Sequence, residues 1–428
     1  MRVLLLGATG LIGSAVLARL ARDGVEVVAV ARTPGMALRH VRWLPLDVAR
    51  ATTPEDWLPH LAGVSAVVNC AGALASSPAD DLRGVHVDGI AALYRACETA
   101  GVRRVVHVSA IGAEREPLSE FSATKKAGED ALTARDLDWV VLRPAVVVGR
   151  AAYGGSALLR GLAALPVLPE LPDAGPLQIV QLDDLVDSIV FFLSPHTPAR
   201  LALDVAGPER FTLTDAVLTY RRWLRLPEPR RVRVPRPLAA LAHRFGDFLR
   251  ALGWRPPLGT VVRRELVRGA VGNPARWQEL TGIRPEPLAA ALASEPASVQ
   301  ERWFARLYFV KPLAFAVLAS FWIVTGLVSL GPGWEPGLAY LLEGGVPRTL
   351  AAAGVVLGAL ADIAVGVGIA VRRTAKRALW AALAISIFYM IAGTWVLPRL
   401  WADPVGPMLK IWPIMVLNLV ALAIVEDR

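Results

Sequence analysis

The chain has 428 residues, enough for two or three domains, and is 54% hydrophobic and only 19% charged, with a mean hydropathy of +0.45. That composition excludes a disordered chain and weighs against a wholly soluble one, in which about a quarter of residues are charged. Two cysteines, Cys70 and Cys97, exclude a disulfide framework and a four-cysteine zinc site, and the net charge of +9 is unevenly spread: −4 over residues 1–220, +11 over 221–311 and +2 over 312–428.

RVLLL at 2–6 is a short apolar run fit for a buried parallel strand, too short for a cleavable signal. It leads into Gly7, Ala8, Thr9, Gly10, Leu11, Ile12 and Gly13, and the apolar periodicity of 14–22 then predicts a helix. Glycines at such a junction let the backbone turn tightly and approach a pyrophosphate, while the helix start turns its N–H groups toward that charge. The spacing is GxxGxxG rather than GxGxxG, and its place between strand and helix is what gives it weight. A second strand, 25–30, ends at Arg32 with no acid to hold a ribose 2′-hydroxyl. Arg32, with Arg39, can pair with a 2′-phosphate, which points to NADP(H) over NAD(H); a plain surface cation is the other reading.

Further strands are expected at 64–69, 102–109 and 139–142, with a helix over 85–100. Strands alternating with helices predict an α/β fold, a Rossmann-type doubly wound parallel sheet.

The motifs GATGLIG (7–13), LPLDV (44–48), NCAG (69–72), VSAIG (108–112), FSATKKAGE (121–129), LRPAVVVG (142–149), IVQLDDLV (179–186) and VAGPERFTL (205–213) resemble, in order, the atypical and extended short-chain dehydrogenase/reductase family. The resemblance covers roughly residues 1–220. It implies that Gly7, Gly10 and Gly13, with Thr9, Leu11 and Ile12 between them, carry the pyrophosphate. Asp47 would meet the adenine edge, the backbone at Ala71 and Gly72 would pass the cofactor, and Lys125 would bond the nicotinamide ribose. The family's acid/base tyrosine stands four residues before that lysine, with an upstream serine polarising the carbonyl. Here the serine is Ser109, the lysine is Lys125, and the tyrosine position holds Phe121, which has no proton to give. Two readings compete, and a third, in which Phe121 is simply core and the site lies elsewhere, stays open beside them. In one, catalysis proceeds through Lys125, a water, Ser122 or Thr124. In the other, the domain binds the nucleotide without turning it over, as in the related nucleotide-binding accessory subunit of respiratory complex I.

Residues 221–311 are rich in Arg and Pro, with an amphipathic helix over 239–249. A basic segment just before a membrane entry can lie on anionic headgroups, its Trp223, Phe245, Phe248, Leu249 and Trp254 dipping into the interface. The alternative is the solvated basic face of a small substrate-capping subdomain. Either role leaves nucleic acid off the list of partners.

Apolar runs follow at 312–330, 350–371, 378–397 and 411–425. A span needs about 20 apolar residues. Three runs qualify, and the fourth does so if it begins near Pro404, giving an all-α four-helix transmembrane domain over 312–428. Trp334, Trp380, Trp395, Trp401 and Trp412 lie near run ends, like an aromatic belt. Arg302, Arg306 and Lys311 precede the first run, and Arg372, Arg373, Lys376 and Arg377 join the second to the third. The positive-inside rule then puts both termini in the cytoplasm, at an inner membrane. This tail resembles the DoxX-like membrane family, found fused behind such domains. Asp362 lies mid-span, where an acid costs about 2.5–3.5 kcal/mol and faces the bundle interior. Its candidate partners are Asn418, Tyr389 and Thr394, and its role is either a quinone or proton site or a structural hydrogen bond. The tail has no histidine to ligate haem.

The expectation is a membrane-anchored NAD(P)H-binding oxidoreductase for a lipophilic carbonyl compound or quinone, with no metal. The alternative is a non-catalytic nucleotide-binding assembly or sensor protein of a membrane complex.

Overall fold

The computed structural model describes every residue except 79, 117–118, 172 and 426–428. Two units emerge, one of residues 1–248 and 256–305, the other of 249–255 and 306–428.

In the first unit the chain runs through β1 (Arg2–Leu6), α1 (Leu11–Arg22), β2 (Glu26–Ala31), β3 (Val41–Pro45), β4 (Ala66–Asn69), α2 (Gly89–Ala100), β5 (Arg104–Val108), α3 (Glu120–Thr133) and β6 (Asp138–Pro144). There follow β7 (Val146–Val148), α4 (Gly154–Ala164), β8 (Val167–Glu170), β9 (Ile179–Gln181), α5 (Leu182–Leu193), β10 (Leu201–Val205) and α6 (Leu213–Trp223). Seven strands form one parallel sheet in the order β10-β6-β5-β4-β1-β2-β3. The order reverses between β1 and β4, the crevice where open α/β sheets take their ligands. β1 shows why the sheet is stable. Val3 and Leu5 point into a core shared with α1 and α5, Leu4 and Leu6 into one shared with α2, and all four are fully buried.

The basic stretch is folded rather than extended. It forms β11 (Arg230–Arg233), α7 (Arg236–Ala251), α8 (Thr260–Arg268), α9 (Ala275–Thr281), α10 (Leu288–Ser294) and α11 (Val299–Leu307). A third core unites Val148, Leu159, Leu168 and Tyr220 with Leu288 and Ala305, and it gathers Trp223. The Trp223 indole donates to the Glu295 carbonyl at 2.7 Å and faces the Arg160 guanidinium at 5.3 Å. Trp223 is thus committed to this core, which corrects its expected place among the interfacial aromatics.

In the second unit α12 (Val310–Leu330), α14 (Arg348–Ala370) and α15 (Ala375–Val396) are long and apolar enough to cross a membrane. At 1.5 Å per residue their 21, 23 and 22 residues give about 30–35 Å, the depth of a hydrocarbon core. A short helix, α13 (Trp334–Glu343), occupies the loop expected between the first two. The fourth, α16 (Ile411–Ile424), has only 14 residues. It does not reach back to Pro404, because Asp403 caps a turn there through the Val405 N–H at 2.8 Å and Gly406 takes a φ of 64°. Among the described residues, three helices therefore meet the length of a span and α16 is a shorter apolar helix.

Inside this unit the Tyr389 hydroxyl donates to Asp362 at 2.9 Å. Of the other expected partners, Thr394 bonds to the Met390 carbonyl and the Trp401 indole, and the amide of the buried Asn418 has no partner among the described residues. α12 and α14 close on small residues: a Cβ on Gly326 would stand 2.5 Å from the Ala359 carbonyl, and one on Gly366 2.8 Å from that of Ala319.

Candidate nucleotide site

The glycine loop follows β1 directly. Gly7 has a φ of 71°, and a Cβ there would lie 2.7 Å from the Cys70 carbonyl. One on Gly13 would lie 2.1 Å from the Gly7 carbonyl. The two glycines thus let β1, the start of α1 and the end of β4 meet, bringing Cys70 and Ala71 against the loop. Gly10 caps α1 with extended backbone and no side-chain hydrogen bond. The first amides of the helix, including Leu11, Ile12 and Gly13, have no intrahelical partner and are the donors a pyrophosphate uses. This cradle, which side chains would fill, fits a dinucleotide.

At the neighbouring strand ends, Lys125 on α3 is buried, and its ammonium donates to the Val108 carbonyl at 3.1 Å, next to Ser109. A Cβ on Gly72 would stand 3.2 Å from Lys125 Nζ and equally close to His86 Nε2. Gly72, Lys125 and the backbone leading to Ser109 therefore come together at these strand ends. The Ser109 hydroxyl is buried with no partner among the described residues. Burial lowers the Lys125 pKa to about 8, opposed by Cys70 and Glu129, while burial pushes the Cys70 thiol up to about 12.

Phe121 lies one turn ahead of Lys125 and meets the His86 ring edge-on, 5.7 Å between centroids. His86 Nε2 accepts the Ala73 N–H at 3.1 Å, so Nδ1 holds the proton, 2.9 Å from the Thr124 hydroxyl. Burial and then the Lys125 charge push His86 down to about 2, so the ring is neutral and supplies no proton. A second neutral histidine braces the Ala71 turn. His107 Nδ1 takes hydrogen bonds from Asn69 at 3.0 Å and from the Tyr94 hydroxyl at 2.9 Å, and Asn69 Oδ1 accepts the Ala71 N–H at 3.0 Å. Burial holds His107 near 3.

Two predicted contacts look different at the adenosine end. Arg32 pairs with Asp80 at 3.1 Å, and its side chain is half exposed. Asp47 accepts the Ala49 N–H at 3.2 Å, shaping its own turn. Sequence reasoning missed Glu265 of α8, which accepts the Ser122 hydroxyl at 2.9 Å, bonds to the Ser119 hydroxyl and pairs with Arg268. No spacing rule links Glu265 to α3. Among the described residues no group of three or more His, Cys, Asp or Glu could hold a metal ion.

Residues 7–160 match the NAD(P)H-binding family and residues 319–419 the DoxX-like family. The chain is 29% identical over 272 residues to the ceramide reductase of Caulobacter vibrioides, covering 62% of this chain and 84% of that protein. It is 23% identical over 300 residues to the mitochondrial 40 kDa subunit of NADH-ubiquinone oxidoreductase of Neurospora crassa, covering 66% and 75%. The solved structure of MoeE5 with UDP-glucose and NAD is similar with a TM-score of 0.54 at 20% identity, over 72% of this chain and 100% of that one, a likeness of fold. The chain thus joins an NAD(P)H-binding domain, similar over its length to a ceramide reductase and a complex I subunit, to a DoxX-like region of apolar helices.

Proposed function

We propose that this protein is a membrane-anchored reductase that uses NADPH to reduce a lipophilic carbonyl compound or quinone. The carrying observation is the buried Lys125 ammonium, held between Gly72 and the strand end that leads to Ser109. In this reading Gly7, Thr9, Gly10, Leu11, Ile12 and Gly13 hold the pyrophosphate, Ala71 and Gly72 flank the nicotinamide half, and Asp47 meets the adenine. When bound, NADPH supplies a hydride to the substrate. Lys125 bonds the nicotinamide ribose and supplies the proton that Phe121 lacks, and the Ser109 hydroxyl orients the substrate oxygen. Arg32 gives preference for the 2′-phosphate by exchanging Asp80 for it. The similarity to a ceramide reductase supports an amphiphilic lipid substrate.

The domains follow the charge: a nucleotide domain over 1–220, a basic cap or juxtamembrane segment over 221–311, and the DoxX-like region over 312–428, with both termini in the cytoplasm at the inner membrane. Supporting that orientation, Arg372 and Arg373 between α14 and α15 cluster with Lys376 and Arg377 of the first turn of α15, while the stretch between α12 and α14 holds no Lys or Arg before Arg348, the first residue of α14.

The test is NADPH oxidation by the detergent-purified full chain, offered long-chain ketones and quinones. Substrate-dependent oxidation that falls at least a hundredfold in Lys125→Ala supports the reading. NADPH binding without oxidation of any such substrate overturns it and favours the second reading, a nucleotide-binding assembly or sensor protein of a membrane complex. Phe121 and the similarity to a complex I subunit speak for that second reading.

A further inference from the structure

Helix α7 carries an exposed apolar stripe that nothing in its own unit covers. Leu238, Leu241, Phe245 and Phe248 are 57%, 63%, 56% and 57% exposed, and their spacing of three, four and three residues puts them on one helix face. The opposite face is fully used. A Cβ on Gly246 would stand 2.6 Å from the Leu258 carbonyl, His243 Nδ1 accepts the Gly259 N–H at 3.1 Å, and Asp247 accepts the Thr260 N–H at 3.0 Å, capping α8. The stripe is therefore not a badly packed core face turned outward. α7 has one face for the protein and one for something else.

Two observations say what that is. The first is chain continuity. The residues directly after Phe248, Leu249–Arg255, belong to the membrane-helix unit. There the Trp254 indole donates to the Ala370 carbonyl at 2.6 Å, the Arg372 N–H donates to the Leu252 carbonyl at 3.0 Å, and the Trp254 and Phe315 rings lie 4.8 Å apart. Ala370 is the last residue of α14, and Phe315 lies near the start of α12. This is the end of the helices beside Lys311, Arg372, Arg373, Lys376 and Arg377. The segment that follows the stripe is thus built into the basic rim of the apolar helices. The second observation is charge: Arg230, Arg231 and Arg233 of β11, all exposed, precede the helix, and Arg244 lies exposed on it.

We propose that α7 lies in the headgroup layer of the membrane leaflet at this basic rim, its four apolar side chains sunk to the acyl boundary and its arginines on anionic headgroups. This is the behaviour expected of a cationic amphipathic helix at a surface. It sharpens the expected set of interfacial residues: Leu238 and Leu241 join Phe245 and Phe248, while Trp223 and Trp254 drop out because each is packed within its own unit. The proposal rests on α12, α14 and α15 crossing a bilayer and not on any reaction.

The test places a single cysteine at Leu238, Leu241, Phe245 or Phe248, with Arg95→Cys of α2 as the aqueous reference. The native Cys97 is buried and Cys70 half-buried, and both are replaced by Ala. Each full chain, carrying an environment-sensitive fluorophore, is reconstituted into vesicles with and without anionic lipid. Quenching by lipid-attached bromine at least threefold stronger at the stripe than at position 95, with iodide access correspondingly reduced, supports the proposal. Weaker lipid quenching in purely zwitterionic vesicles supports the part assigned to the arginines. Iodide access at the stripe equal to that at position 95 overturns it and leaves the face to a protein partner. Unchanged quenching on removing anionic lipid overturns the electrostatic part. No cofactor or substrate is present, so the outcome is independent of whether the nucleotide site catalyses anything.

Discussion

The Lys125 ammonium is fixed to the Val108 carbonyl at 3.1 Å, so helix α3 and the end of β5 share one buried positive charge. Burial is the main cause of its lowered pKa, about 8 against 10.5 for the free side chain. Between those values the unfolded chain holds the extra proton, so folding gains with rising pH. The burial penalty, about 3 kcal/mol, is present in full below pH 8 and relieved on the way to 10.5. Paired thermal melts of the wild type and Lys125→Met should show the variant more stable at pH 7, with the gap closing towards pH 10. NADPH affinity, read by fluorescence, should fall above a break near pH 8 in the wild type and lose that break in the variant.

Phe121 lies one turn before Lys125, at 5.7 Å from His86. Phe121→Tyr places a phenol there beside a cationic lysine. General acid catalysis is worth about 10²–10⁴-fold, so the variant should raise the rate of substrate-dependent NADPH oxidation by about a hundredfold. Single-turnover kinetics would check this, and a rate unchanged within twofold would sink the idea that the missing phenol limits turnover.

Gly13→Val drives a side chain into the Gly7 carbonyl. Overpacking of this kind costs about 1–3 kcal/mol, and here it falls on the loop that turns its amides to the cofactor. Nucleotide binding should weaken more than tenfold while the circular dichroism of the chain is retained.

Arg32 is bonded to Asp80, so taking a 2′-phosphate means leaving a standing partner. Hydrogen bonds to charged groups are worth about 1.5–3 kcal/mol. Arg32→Ala should cut the preference for NADPH over NADH by roughly ten- to a hundredfold, measured as the ratio of dissociation constants. An unchanged ratio would remove Arg32 from the site.

Tyr389→Phe removes the 2.9 Å hydrogen bond to Asp362 between α15 and α14. Interhelical hydrogen bonds in membranes are worth about 0.6–2 kcal/mol. A loss of about 1 kcal/mol in detergent unfolding is expected, with NADPH affinity unaltered.

The sheet and the glycine loop were legible because their rules are local: a strand, a glycine at positive φ and a helix start follow one another within 13 residues. Tyr389 was nameable because a mid-span acid needs a partner and few polar side chains share its depth. Glu265 was not, since it meets Ser122 across 143 residues with no spacing rule to betray it. The Asn69–Tyr94–His107 network was hidden for the same reason. Trp223 was misread because composition reports that an aromatic stands in a basic stretch, and only packing tells whether it turns inward. The bounds of α16 were legible as an apolar run, whereas its failure to start near Pro404 was not, since hydropathy passes over the turn that Asp403 and Gly406 impose.

The glycine contacts between α12 and α14 have one more effect. Two backbones held at Gly326 and Gly366 pack without a gap, and opening one of about 0.5–1 Å would forfeit about a quarter to a half of each contact. An antiparallel hairpin of this kind can assemble in lipid before α15 and α16 arrive, giving them a finished groove to settle against.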